Sequence, residues 1–156
     1  MANPFIEKEI NRIFETTQGD DSLKAAMAAA WTCANFKAFN IKVFNVQEAS
    51  SLSDYYILCT AENTIQSQAI ISELVPHLKK LDIMPISTEG LTDGDWILLD
   101  LGGIILHIFQ EASREIYTLD QLWVGHPQVE IPQEFFTGFV ETKDSSQSIE
   151  DEKNYF

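Results

Sequence analysis

Basic residues are scarce in this chain. Its 156 residues hold 10 Lys and Arg against 24 Asp and Glu, a formal net charge of −14. Such a balance disfavours nucleic-acid phosphate and anionic membranes, and it favours a basic protein partner. The few cations are scattered and leave no nucleic-acid footprint. Cysteine is sparse too. Cys33 and Cys59 share no metal-site spacing with each other or with His77, His107 or His126, so both read as reduced core residues of a cytosol-like compartment. No apolar run approaches the roughly 20 residues that span a bilayer. The N-terminus mixes acids with its bases and carries no apolar h-region, so no signal peptide is expected. Gly90, Gly94, Gly102 and Gly103 fit neither phosphate-loop spacing. Ser50, Ser51 and Ser113 lack a nucleophile-elbow context, and neither cysteine has a recognisable base beside it. By the usual tests no catalytic constellation is present.

What the chain does have is an ordinary globular composition, 45% hydrophobic and 22% charged, and enough length for one core. Its organising stretch runs from Asp95 to Phe109. Two apolar runs flank Gly102-Gly103, the pair expected in a two-residue hairpin turn. With those glycines as the loop, Leu101 faces Ile104, Leu99 faces Leu106, Leu98 faces His107, Ile97 faces Ile108 and Trp96 faces Phe109. Alternation then gives two faces. Ile97, Leu99, Leu101, Ile104, Leu106 and Ile108 make a core face. Trp96, Leu98, Asp100, Ile105, His107 and Phe109 make the other, apolar but with a carboxylate and an imidazole set into it. That mixture suits cover by a partner, or by the protein's own helix.

Around this hairpin the chain reads as follows. Ile6, Ile10, Ile13 and Phe14 fall at helical spacing before Gln18-Gly19-Asp20-Asp21-Ser22 breaks the pattern and supplies a cap. An Ala-rich helix follows from Ser22 to about Phe36, with Leu23, Met27, Ala30, Trp31 and Ala34 on one stripe. Ile41–Val46 and Asp54–Thr60 read as strands, the second apolar enough to be central. Asn63 or Thr64 caps a helix to about Leu81 with a stripe of Ile65, Ala69, Ile70, Leu74 and Leu78. Pro76 is expected to kink it or stop it early. Strand, helix, strand implies a right-handed parallel crossover. Met84-Pro85-Ile86-Ser87 reads as a short edge strand. After the hairpin, Glu111–Tyr117 is helical, and Thr118 can cap a second turn with Leu119, Leu122 and Trp123 on one side. The expected division is an N-terminal extension over 1–21, a core over 22–125, and a mobile acidic tail over 126–156. The fold class is α/β, with a mixed sheet of about five strands and flanking helices. No internal repeat is visible.

Two spots invite chemistry. Asp93-Gly94-Asp95, with Asp100 farther along the ribbon, is the one set that passes for a divalent-metal site. Asp and Gly are also what a turn requires for backbone reasons. His107, among aliphatic residues on a strand, suits a structural imidazole bonded to Asp100 or to a partner.

Three words of sequence, in order, carry a resemblance. Ser51-Leu52-Ser53-Asp54-Tyr55-Tyr56-Ile57 is the first. Glu89-Gly90 followed by Asp95-Trp96-Ile97-Leu98-Leu99-Asp100 is the second. Gly103–His107 and then Arg114-Glu115-Ile116-Tyr117-Thr118-Leu119-Asp120-Gln121-Leu122-Trp123 is the third. From about Ser22 to Trp123 the chain resembles the ribosomal silencing factor, or Iojap-like, family. The resemblance implies a fold related to nucleotidyltransferases without transferase activity, and no cofactor. It implies binding to the fourteenth protein of the large ribosomal subunit, on the face that meets the small subunit. Joining is thereby blocked and translation damped when nutrients are short. It also implies a possible homodimer and a bacterial-type cytoplasmic setting, with the organelle matrix as an alternative. This chain departs from the family at Ala61-Glu62-Asn63, where relatives often have Gly-Thr-Ser, and at Gly103, where they often have an acid. The expected contact surface is the second ribbon face, with Trp96, Leu98, Ile105 and Phe109 as apolar anchors, together with His107. Asp100, Asp54, Glu89 and Asp95 would meet Lys or Arg at the rim. The competing reading is a nucleotidyltransferase-like enzyme holding magnesium on Asp93, Asp95 and Asp100.

Overall fold

The Gly-Gly hairpin sets the architecture. In the computed structural model, which describes residues 3–49 and 51–137, strands β4 (Trp96–Asp100) and β5 (Ile104–Phe109) pair antiparallel in the expected register. Trp96 lies opposite Phe109, Leu98 opposite His107, and Leu99 opposite Leu106. Gly102 sits at φ 89, which a side chain would strain. Strands β1 (Phe39–Asn45), β2 (Tyr55–Thr60) and β3 (Ser87–Glu89) complete a five-stranded sheet ordered β1-β2-β5-β4-β3. Only the β2–β5 pair is parallel. The short β3 lies at the edge and shares only Ser87 with the Met84–Ser87 reading, starting three residues later, with Ile86 N–H donating to the Asp100 carbonyl at 2.7 Å.

One face of the sheet carries the core. Ile97, Leu99, Leu101, Ile104, Leu106 and Ile108 are all buried there. Over them lie helices α2 (Asp21–Asn35) and α3 (Thr64–Lys80), with α1 (Pro4–Thr16) and the short α6 (Glu134–Thr137) packed against α2. Helix α2 is therefore buried on all sides from Ala25 to Ala34, not along one stripe, and its alanines let the sheet, α1, α3 and α6 approach closely. Asp20 caps it, accepting from Leu23 N–H at 2.9 Å. Gly103 meets the start of this helix. A Cβ there would lie 2.2 Å from Ser22 Oγ, so the absent side chain is what lets the hairpin turn close under α2.

The structure changes several expectations. Helix α3 runs through Pro76 to Lys80 without an early stop. Pro76 and Ser72, whose carbonyl loses its helical donor, are both exposed, where solvent can reach that group. Ile65 is 75% exposed and leaves the core stripe, while Ile71 joins it. Residues 1–21 are not a separate extension. Ile6, Ile10 and Ile13 enter the common core, and the boundary at 21/22 falls inside the first turn of α2. Residues 126–137 are not a mobile tail. Asn45 N–H donates to the Pro127 carbonyl and Val129 N–H to that of Val43, each at 2.8 Å, covering the β1 edge. Phe135 and Phe136 are buried in the core cluster. The remainder of the expected tail, 138–156, lies outside the described residues.

Candidate functional site

The second face of the sheet is covered only in part. After β5 the chain forms α4 (Glu111–Tyr117) and the four-residue α5 (Leu119–Leu122), which fold back as an arm over one end of that face. Thr118 joins them in the left-handed region at φ 49. It makes no side-chain cap, contrary to the sequence expectation, because its backbone is spent on the turn. Beneath the arm Phe44, Val46, Leu58 and Phe109 form a small second core, with Tyr56, Trp96, Leu119 and Trp123 packed around it. Tyr56 meets Trp123 edge-on at 4.6 Å.

Trp96 is the hinge between covered and open surface. Its ring stacks on Phe109 at 5.1 Å and lies 4.6 Å from Tyr117, yet the side chain stays half-exposed. Its indole Nε1–H donates to His107 Nδ1 at 3.1 Å. The expected bond from His107 to Asp100 is not made. Asp100 Oδ1 instead accepts from Gly102 N–H at 2.9 Å, closing the hairpin turn. Because an indole N–H only donates, His107 is neutral with its proton on Nε2. Burial lowers its pKa to about 4.

This has a pH consequence. The unfolded histidine takes up a proton near its ordinary value of 6.5, and the folded one only near about 4. Stability from the neutral ring is therefore full above pH 6.5 and is lost as pH falls toward 4. Melting temperature should drop across that window. His107→Gln, which cannot titrate, should flatten the profile, and an unchanged slope in that variant would show that other groups carry it.

The sequence-chosen residues separate into layers. Trp96 and Leu98 are half-exposed and Glu89 and Asp95 exposed, all at or beside one side of the open face. Asp100 and Asp54 are half-buried near the hairpin turn, where Asp54 N–H donates to the Gly103 carbonyl at 2.9 Å. Phe109 is a correction: it is fully buried beneath Trp96 and the arm, and offers no contact area. Ile105 and His107 are buried as well, at 9% and 5% exposure, and shape the face from below. Ile116, Leu122 and Val124, absent from the expected surface, are 73%, 64% and 79% exposed on the arm. Ile116 and Leu122 sit in helices too short to bury all their sides, and Val124 sits in the turn that follows.

The metal reading loses its geometry. Asp93 and Asp95 flank Gly94, a turn residue at φ 77, while Asp100 lies at the opposite end of β4 and is engaged by Gly102. Among the described residues no group of three His, Cys, Asp or Glu side chains stands ready for a metal. Cys33 and Cys59 are free and buried, and the neighbouring Cys59 raises the Cys33 thiol well above its ordinary pKa. No helix among the described residues is long and apolar enough to cross a membrane.

A mixed sheet with long helices on one face and a half-covered aromatic face on the other defines an α/β domain that presents a surface. Residues 19–155 match the family described as ribosomal silencing factor during starvation, so the chain belongs to the ribosomal silencing factor family. The ribosomal silencing factor RsfS of Haemophilus influenzae is 37% identical over 92 residues, 59% of this chain and 90% of that one. A mouse protein named for mitochondrial assembly of the ribosomal large subunit is 29% identical over 89 residues, 55% of this chain but 39% of its own length. A crystal structure of a Bacillus halodurans protein shares the fold with a TM-score of 0.59 at 30% identity, over 70% of this chain and 96% of that one.

Proposed function

We propose that this chain silences translation by steric occupation. It docks on the large ribosomal subunit at that subunit's fourteenth protein and keeps the small subunit from joining when nutrients are short. The observation that carries this reading is the half-covered face: Trp96 and Leu98 are half-exposed on β4, Glu89 lies opposite Leu98 on β3, Asp95 precedes β4, Asp100 ends it near the hairpin turn, and Asp54, just before β2, meets the same turn. An aromatic anchor with acids close by in the fold suits a basic protein surface in which an apolar spot is surrounded by Lys or Arg. Membership of a silencing family, and the large-subunit role in the mouse relative's name, support the same partner. Occupying the surface is the whole mechanism, so it asks for no cofactor and no bond is made or broken.

The test is order of addition. Protein given to large subunits before small subunits should suppress formation of joined ribosomes, and protein added afterwards should act far more slowly. Acidic rim charges mainly steer encounter, so the association rate should fall by roughly tenfold or more between low and high salt. Protein that saturates large subunits and leaves joining untouched would remove the reading.

A further inference from the structure

We propose that Arg114 and Asp120 are positioning residues for docking: their two-pronged ion pair fixes the α4–α5 arm so that its exposed apolar side chains extend the Trp96 face against a basic protein surface. This rests on the docking reading above.

The pair is built into the fold. Arg114 is 7% exposed. Its Nε and Nη2 donate to the two Asp120 carboxylate oxygens at 2.9 and 2.7 Å. Its Nη1 donates to the Asn40 carbonyl at 2.7 Å and to Thr60 Oγ1 at 3.0 Å. Lys42 Nζ reaches Asp120 at 3.0 Å from the sheet edge. One guanidinium thus ties α4 to α5, β1 and β2. Asn40 lies at φ 52 beside the register break in β1, where its carbonyl is turned toward the arm. Hydrogen bonds from Arg114, and then from Lys42, hold the Asp120 carboxyl down at about 2.

The arm needs such a tie. Helix α4 has seven residues and α5 four, both too short to be stable alone, and α5 buries no residue fully. An apolar pair of the same volume would often hold it as well or better, because desolvating two charges costs about what their attraction returns. What the fork adds is a fixed angle. That angle matters if the arm's outer surface is used, and its outer surface is unusual. Of the ten large hydrophobic side chains exposed among the described residues, four lie between Ile116 and Val124. Tyr117, at 4.6 Å from Trp96, makes them continuous with the open face. Charge selects the occupant. From Glu111 to Thr137 there are five acids (Glu111, Glu115, Asp120, Glu130 and Glu134) and one Lys or Arg, which is Arg114, buried and neutralised. An apolar strip in an acidic setting fits a basic protein.

Two variants separate pose from stability. Arg114→Lys keeps the charge and loses the fork. Arg114→Met with Asp120→Leu removes both charges together and keeps the packing. Each is compared with the parent by thermal melting, by near-ultraviolet circular dichroism from the Trp96–Tyr117 and Tyr56–Trp123 pairs, and by affinity for isolated large subunits well below the melting temperature. Both should fold, show an altered aromatic band and bind roughly tenfold more weakly, the loss expected when a preorganised segment is loosened. Asp120→Glu, which keeps a carboxylate for Arg114, should retain part of the affinity that the double variant loses. Parental binding by either folded variant, while Trp96→Ala loses binding, overturns the positioning role alone. Parental binding by Trp96→Ala overturns the docking reading and this one with it.

Discussion

Trp96→Ala should stay folded and lose co-sedimentation with large ribosomal subunits. The indole is half-exposed, stacked on Phe109 and set beside Tyr117, so it presents a rigid aromatic surface already ordered before any partner arrives. Truncating such an anchor at the centre of an interface typically costs about 2 kcal/mol or more, roughly a thirtyfold loss of affinity. The fold suffers less. Phe109 keeps Phe44 and Leu58 around it, and only His107 Nδ1 loses its donor, at a cost of about 1–3 kcal/mol. Trp96→Phe divides the two effects, because it keeps the stacked ring and removes the N–H. It should bind better than the alanine variant and share its lost His107 bond. A folded Trp96→Ala protein that sediments with large subunits like the parent would show that the ribbon face is not the contact.

Phe109→Ala should do the reverse. Phe109 belongs to the same face by alternation, yet it has no exposed surface and forms the floor under Trp96 and the arm. Removing a fully buried phenyl ring costs about 3–5 kcal/mol, because the transfer free energy is lost and the cavity fills only partly. In a domain of this size that lowers the melting temperature by about 10 °C or more. Phe109→Leu refills much of the volume and should regain most of the stability. Well below its melting temperature it should bind large subunits at parental strength. Unchanged melting of Phe109→Ala together with lost binding would mean that the ring contacts the partner directly.

The contrast between these two residues marks how far the sequence could be read. Period-two alternation put Trp96 and Phe109 on one face correctly, since it depends only on the strand's own geometry. It carried no information on depth. Phe109 is buried because α4 and α5 return over that end of the sheet, while Leu98, two residues along β4 from Trp96, stays half-open. His107 was legible as a structural imidazole, but its partner was not. The bond comes from Trp96 diagonally across the hairpin, while Asp100 is used by the turn. Arg114 and Asp120, six apart in the chain, sat inside the recognised family word, yet nothing local showed that they meet or that Lys42 joins them.

By itself, then, the chain determined its longer helices, the strands β1, β2, β4 and β5, the hairpin register and the family to which it belongs, because each of those rests on neighbours in sequence: glycine at the turn, caps at the starts of α2 and α3, and side chains repeating at the spacing of their element. Tertiary structure alone decided which apolar residues are floor and which are surface. It brought Ile6, Ile10 and Ile13 from one end, and Phe135 and Phe136 from the other, into the same core, and it left Ile116, Leu122 and Val124 outside. Burial is a relation between segments distant in sequence, and hydrophobic residues carry the same local signal whether another segment covers them or none does.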